Sequence, residues 1–170
     1  MIKLRTVDTA ELANVELVFG GVLRPVQDSV LLSHVVVAED ESAVIGVATV
    51  EMTDTVGFLR LHFLSAVYRG QGVGTRIVRH AVRKGFERGL TTVFVSATRL
   101  ETFYYRAGFG PDDFSFLPTC FWSRVASDPA HQPSVMSCRR AIGGGDGAGA
   151  QAAFRCDLSF PGRRDCDFEA

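Results

Sequence analysis

The sequence lacks the features that direct a chain to a membrane or a metal. No apolar run reaches the roughly 18 residues that a membrane helix needs, and the first residues show no apolar segment of the signal-peptide type. The cysteines form no C-x-x-C pair, and no histidine lies at metal-ligand spacing from them. They are Cys120, Cys138, Cys156 and Cys166. We therefore expect four reduced thiols in a cytoplasmic protein, with a zinc site or a Cys156–Cys166 disulfide as alternatives.

An excess of charge of either sign is also missing. The formal net charge is −1 over 170 residues, so no overall field favours nucleic acid or an anionic membrane. Hydrophobic residues make up 46% and charged residues 22%, which is typical of a folded globular chain. A chain of this length fits one domain. From the balanced charge we predict that it binds neither nucleic acid nor membrane.

Strand-like and helix-like segments alternate along the first 140 residues. β-branched runs and turn residues predict strands at 2–7, 35–38, 43–52, 58–67, 91–97 and 135–139. Apolar residues at helical spacing predict helices from Asp8 to 19, over 76–89 and over 99–107, and 22–33 is ambiguous. Gly108 is placed to cap the last of these helices. The pattern predicts a mixed α/β sheet flanked by helices.

The composition changes after residue 142. Residues 143–150 contain mostly glycine and alanine and predict a flexible linker. Residues 151–170 have too little apolar mass to fold alone, so we expect a disordered tail, with docking on the domain or on a partner as the alternative. The predicted organisation is a domain over 1–142, a linker over 143–150 and a tail over 151–170.

A glycine-rich turn between a predicted buried strand and a helix is the segment most indicative of chemistry. Residues 69–75 read R-G-Q-G-V-G-T. A helix N-terminus offers unpaired N–H groups to an anion, and glycines let the backbone approach it. The turn is not a P-loop, because no lysine follows the glycines, and its spacing is not that of a dinucleotide fold.

This turn resembles the acetyl-CoA pyrophosphate loop of the GCN5-related N-acetyltransferases (GNAT). The strand before it reads F-L-S-A-V-Y-R-G over 63–70, with Ala66 where that family usually has proline. A second family signature, F-Y-x-x-x-G-F, is matched by Phe103–Phe109. The resemblance spans about residues 2–140 and implies the GNAT fold, a mixed central sheet with a splayed strand pair.

The resemblance implies acetyl transfer from acetyl-CoA, as co-substrate, to a primary amine. Tyr104 would be the general acid for the departing thiolate, and His62 is the preferred general base, with Glu51 and Glu101 as other candidates. A satisfied core histidine is the alternative for His62, and Glu51 is expected at the surface. The residues expected to bind acetyl-CoA are Leu64, Ser65, Ala66, Arg69, Gly70, Gln71, Gly72, Val73, Gly74 and Thr75.

A narrower resemblance concerns the acceptor. The segments at 21–23, 93–95, 116–118 and 134–136 look like the acetyltransferase domain of N-acetylglutamate synthases. This implies a small-molecule amine, an amino acid such as glutamate, whose carboxylate Arg24 and Arg124 would bind. Another amine (an antibiotic, a polyamine or a protein N-terminus) and a non-catalytic acyl-CoA-binding module are the alternatives. Members of this family often form homodimers, although no segment here specifies an interface.

Overall fold

A computed structural model describes residues 1–7, 32–41, 43–98, 100–122 and 134–140 of the chain. The strands are β1 (Lys3–Val7), β2 (Leu32–Asp40), β3 (Ala43–Thr53), β4 (Val56–Leu64), β5 (Thr92–Ser96), β6 (Gly110–Pro111) and β7 (Val135–Arg139). The helices are α1 (Val73–Glu87) and α2 (Glu101–Ala107). Short 3-10 turns cover Ala66–Tyr68, Phe114–Phe116 and Thr119–Phe121.

The seven strands form one sheet in the order β1-β2-β3-β4-β5-β7-β6. Neighbouring strands are antiparallel except β4 and β5, which run parallel. A parallel pair needs a crossover, and α1 supplies it between β4 and β5. The predicted mixed sheet, the hairpin of β2 and β3, and the last strand at 135–139 are confirmed.

Helix α1 covers one face of the sheet, called here the helix face. Its apolar positions recur at helical spacing, and Ile77, Val78 and Ala81 are fully buried against strand residues such as Val36 and Ala48. The opposite face, called here the far face, carries a smaller cluster in which Phe58 stacks on Phe121, with ring centroids 5.4 Å apart. Alternate side chains of β3 and β4 therefore point to two different environments.

Several predicted segments lie outside the described residues. These are the helix from Asp8, residues 22–31 of the ambiguous stretch, the linker at 143–150 and the tail at 151–170. Where segments are described, the boundaries differ from prediction by a few residues. The strand predicted at 58–67 begins at Val56 and ends at Leu64, because residues 66–68 form a 3-10 turn.

The described part of the chain contains no helix long and apolar enough to cross a membrane. Of the two cysteines in this part, Cys120 is exposed and Cys138 is buried, and neither forms a disulfide within the described residues. No three histidine, cysteine or acidic side chains lie close enough together, within the described ranges, to hold a metal ion.

Candidate active site

The parallel pair β4 and β5 separates part-way along its length. Their pairing ends at Phe58 opposite Phe94, yet β4 continues to Leu64 and β5 to Ser96. Beyond Phe58, no residue of β4 is paired with β5. This opening, called here the cleft, is the splayed strand pair that the family resemblance implied, and it offers an edge to an extended ligand.

The last residues of β4 direct a free donor into the cleft. Ser65 donates its backbone N–H to the carbonyl of Ile45 on β3, at 2.8 Å. Successive residues of a strand alternate in direction, so the N–H of Leu64 points to the other side, into the cleft. The Leu64 carbonyl accepts a hydrogen bond from Arg69 Nε at 3.2 Å, which joins the strand end to the glycine-rich turn.

The glycine-rich turn ends at the N-terminus of α1. Gly70 and Gly72 have φ of +74° and +75°, a region that favours glycine, and Gly72 is the N-cap of the helix. No side chain caps α1 and no acidic residue lies in its first turn. The first N–H groups of a helix have no partner within it, so this end of α1 can bind an anion.

Two side-chain hydrogen bonds hold the turn in place. Gln71 donates from its amide to the carbonyl of Val67 at 2.6 Å. The Tyr68 hydroxyl donates to Asp40 Oδ2 at 3.0 Å, which ties the turn to the end of β2. Arg69, Gly70, Gln71 and Gly72 are all exposed, so the loop is both fixed and accessible to a ligand.

Gly74 differs from the two exposed glycines of the turn. It is buried, and a Cβ there would lie 3.2 Å from Leu64 Cδ2 and 3.2 Å from Phe103 Cε2. The absence of a side chain allows β4, α1 and α2 to meet at this point. Gly74 therefore has a packing role that its motif alone does not reveal.

Tyr104 lies on α2 in the core of the helix face, with 4% of its surface exposed. Its ring makes edge contacts with Phe103 and Phe109, at centroid distances of 5.0 and 5.6 Å. Burial raises the pKa of Tyr104 to about 12. The hydroxyl therefore stays protonated over the whole working range of pH and can donate a hydrogen bond.

His62 lies on the far face, near the end of β4. Its Nε2 is 2.7 Å from Thr49 Oγ1 on β3, and burial, followed by the charge of Arg60, lowers its pKa to about 4. At neutral pH the ring is neutral and has one nitrogen able to accept a proton. His62 and Tyr104 thus approach β4 from opposite faces of the sheet.

The structure corrects the prediction for Glu51 and leaves two arginines undescribed. Glu51 is 4% exposed, not a surface residue, because its position on β3 turns it to the far face beside Phe58 of β4. Arg24 and Arg124 lie outside the described residues. Residues 114–122 pack on the far face through Leu117 and Phe121.

Sequence reasoning did not identify Thr49. Alternation along β3 could have placed Thr49 and Glu51 on one face, but the contact with His62 depends on the register between β3 and β4. That register shifts at Val47 and Ala48, and no residue pattern in the sequence predicts such a shift.

Comparison with known proteins agrees with this geometry. Residues 32–111 match the acetyltransferase (GNAT) domain family. The match includes β2 to α2, the cleft and the glycine-rich turn, and hence both signatures. Comparison with curated proteins finds no match.

Solved structures share the GNAT fold at low sequence identity. N-acetylglutamate synthase from Neisseria gonorrhoeae, complexed with coenzyme A and N-acetyl-glutamate, has a TM-score of 0.61 and 16% identity, covering 82% of this chain. The protein yncA from Salmonella typhimurium, solved with acetyl-CoA, has a TM-score of 0.56 and 13% identity over 87% of this chain and 99% of its own. The ribosomal-protein-S18-alanine N-acetyltransferase from Escherichia coli has a TM-score of 0.55 and 15% identity over 85% of this chain and 97% of its own.

The first of these structures is much longer than the present chain. The alignment covers only 35% of the Neisseria gonorrhoeae synthase, so the chain spans about a third of that enzyme. The similarity extends to the GNAT fold. The three neighbours carry different names, an amino-acid synthase and a ribosomal-protein acetyltransferase among them, so their common feature is the fold and not one acceptor.

Proposed function

We propose that the chain is an acetyl-CoA-dependent N-acetyltransferase whose acceptor is the primary amine of an amino acid such as glutamate. The observation that carries the proposal is the cleft between β4 and β5, which opens directly beside the glycine-rich turn at the N-terminus of α1. An extended thioester fits the free edge of β4, and its pyrophosphate fits the free N–H groups of α1. The fit of the chain to this co-substrate rests on these two features.

The chain's own groups suit the chemistry of acyl transfer. The Leu64 N–H, directed into the cleft, would donate to the thioester carbonyl oxygen as it gains negative charge, and one such donor is worth roughly 3 kcal/mol of barrier. His62 would accept the proton that the amine nitrogen loses when it forms the amide bond. Tyr104 would donate to the departing sulfur from the other face of the sheet.

The pKa of Tyr104 limits what it can do for the leaving group. An ordinary thiol has a pKa of about 8.5, so a phenol with a pKa of about 12 is the weaker acid. Complete proton transfer to a thiolate is therefore uphill by about 5 kcal/mol. We assign Tyr104 a hydrogen bond that stabilises the negative charge developing on the sulfur. The thiolate leaves as the anion and takes its proton from solvent.

Tyr104→Phe tests this assignment. We expect kcat to fall by about 100-fold, within the range for loss of one hydrogen-bond donor to developing charge, while the affinity for acetyl-CoA changes little because the ring packing is retained. Tyr105→Phe is the matched control, since Tyr105 is 38% exposed on the adjacent position of α2. Equal turnover in the Tyr104 and Tyr105 variants would remove Tyr104 from the mechanism.

The acceptor is tested by measuring thiol release from acetyl-CoA with the full chain. The panel contains the common amino acids, spermidine, an aminoglycoside and a peptide with a free N-terminus, and acetyl-CoA binding is measured calorimetrically on the same preparation. We expect turnover with an amino acid. Turnover only with another amine would replace the acceptor, and binding without turnover would favour an acyl-CoA-binding module.

A further inference from the structure

His62 is the extra residue of a β-bulge. Val47 of β3 pairs with Phe63 and the next residue, Ala48, pairs with Leu61, so His62 has no partner across the ladder. Bulges redirect a side chain and are often found beside functional sites. Here the bulge leaves the His62 ring on the far face, beside Thr49, although Thr49 is the register partner of Arg60.

The two ring nitrogens of His62 have different surroundings. Nε2 lies 2.7 Å from Thr49 Oγ1. For Nδ1 the structure records no hydrogen bond within the described ranges, and this atom is not among the buried polar atoms there that lack a partner. One nitrogen is therefore held by Thr49, and the other has no recorded hydrogen-bond partner among the described residues.

A hydroxyl beside a neutral imidazole can select its tautomer. If Nε2 carries the proton, it donates to Thr49 Oγ1, and Nδ1 keeps a lone pair that can accept a proton. In the other tautomer Nδ1 carries the proton and cannot act as a base. Only the first tautomer makes His62 competent for the reaction proposed above.

We propose that Thr49 is a positioning residue that keeps Nε2 of His62 protonated, so that Nδ1 is the base facing the acceptor amine. This inference rests on the proposed function. As the amine nitrogen attacks and gains positive charge, one of its N–H bonds breaks, the electron pair stays on nitrogen, and an Nδ1–H bond forms. The Nε2–H bond remains intact, and Thr49 Oγ1 stabilises the charged ring by accepting from it.

Charged groups on both strands face this pair. Arg60 on β4 is the register partner of Thr49, and Glu51 lies two residues further along β3 on the same face. Arg60 opposes protonation of His62, so a hydrogen bond that Thr49 Oγ1 accepts from the ring would favour the charged form. Loss of the hydroxyl should therefore make His62 a weaker base as well as release its tautomer.

The tautomer can be measured without any acceptor. Ring ¹⁵N spectra of the full chain are recorded at pH 7.5 for wild type, Thr49→Val and Thr49→Ser, with His62→Gln to assign the signals. We expect the Nε2-protonated form in wild type and Thr49→Ser. We expect a mixture of tautomers in Thr49→Val, because the ring loses the partner that distinguishes its two nitrogens.

An Nδ1-protonated ring in wild type, or an unchanged spectrum in Thr49→Val, would overturn the proposal. Thr49→Ala provides a second variant without the hydroxyl, in case Thr49→Val does not fold. In the thiol-release assay we expect Thr49→Val to lower kcat about tenfold at constant KM for acetyl-CoA, and Thr49→Ser to restore it. Absence of turnover by wild type with every amine would contradict the proposed function, and the spectra would still decide the tautomer.

Discussion

Gly72→Asp is expected to reduce the affinity of the protein for CoA by about 100-fold. Gly72 is the exposed N-cap of α1, with φ of +75° and no heavy atom within 4 Å of a Cβ placed on it. A side chain there enters open space, so the fold tolerates it. The carboxylate would stand beside the N–H groups that we assign to the pyrophosphate, and like charges would then share one site.

The size of this effect follows from the distance between the charges. Two unit charges about 5 Å apart near a protein surface repel by about 3 kcal/mol, which corresponds to about 100-fold in a dissociation constant. Aspartate is among the residues that tolerate a left-handed backbone, so strain adds little to the loss. Isothermal titration of CoA into wild type and variant measures the change directly.

Two matched variants separate charge from shape and from strain. Gly72→Asn has the same shape as Gly72→Asp without its charge, and we expect it to retain affinity within about tenfold. Gly89→Asp adds the same charge at φ of +100° beyond the opposite end of α1, again in open space, and should leave CoA affinity unchanged. Equal losses in Gly72→Asp and Gly89→Asp would contradict the binding site.

The two glycines of one motif illustrate how far the sequence could predict the site. The motif correctly predicted a glycine-rich turn leading into a helix after a buried strand, since both depend on local spacing. It assigned the same role to Gly72 and Gly74, yet only Gly72 is exposed, while Gly74 lies between Leu64 and Phe103. Such packing depends on residues 10 and 29 positions away, which no local pattern contains.

The other predictions also divide into those that depend on local spacing and those that depend on contacts between distant residues. Strands, the long helix and the β2–β3 hairpin follow from alternation and helical spacing, which are properties of neighbouring residues. Burial of Glu51 and the contact of His62 with Thr49 follow from the pairing of β3 with β4 and from the bulge within it. Pairing register is set by the whole sheet, so the polar residues of the far face could not be placed from sequence.

Protein stability is expected to fall steeply between pH 6.5 and 4, because two histidines are neutral in the folded state. His34 on β2 is 2% exposed, its Nε2 donates to the Ala81 carbonyl at 3.1 Å, and its Nδ1 is buried without a partner. Burial, with the nearby charges of Arg88 and other groups, lowers its pKa to about 4. The unfolded chain therefore binds a proton in this range that the folded chain excludes, so unfolding is favoured as the pH falls.

For His34 this difference in pKa amounts to about 3 kcal/mol over the interval. His62, with a pKa near 4 as well, contributes a second proton. At pH 5 the free energy of unfolding should therefore change by about 2.4 kcal/mol per pH unit, about 1.2 from each ring. Urea unfolding at a series of pH values between 4.5 and 6.5 measures this slope above the range where most carboxylates titrate.

His34→Gln removes one of the two titrating rings, and the glutamine amide can still donate to the Ala81 carbonyl. We expect the slope at pH 5 to fall by about half, even if the variant is less stable at pH 7. His80→Gln is the control, because His80 is only partly buried on α1 and should alter the slope less. An unchanged slope in His34→Gln would mean that the buried ring is already protonated in the folded state. The hydrogen bond from a neutral His34 to the Ala81 carbonyl would then be wrong.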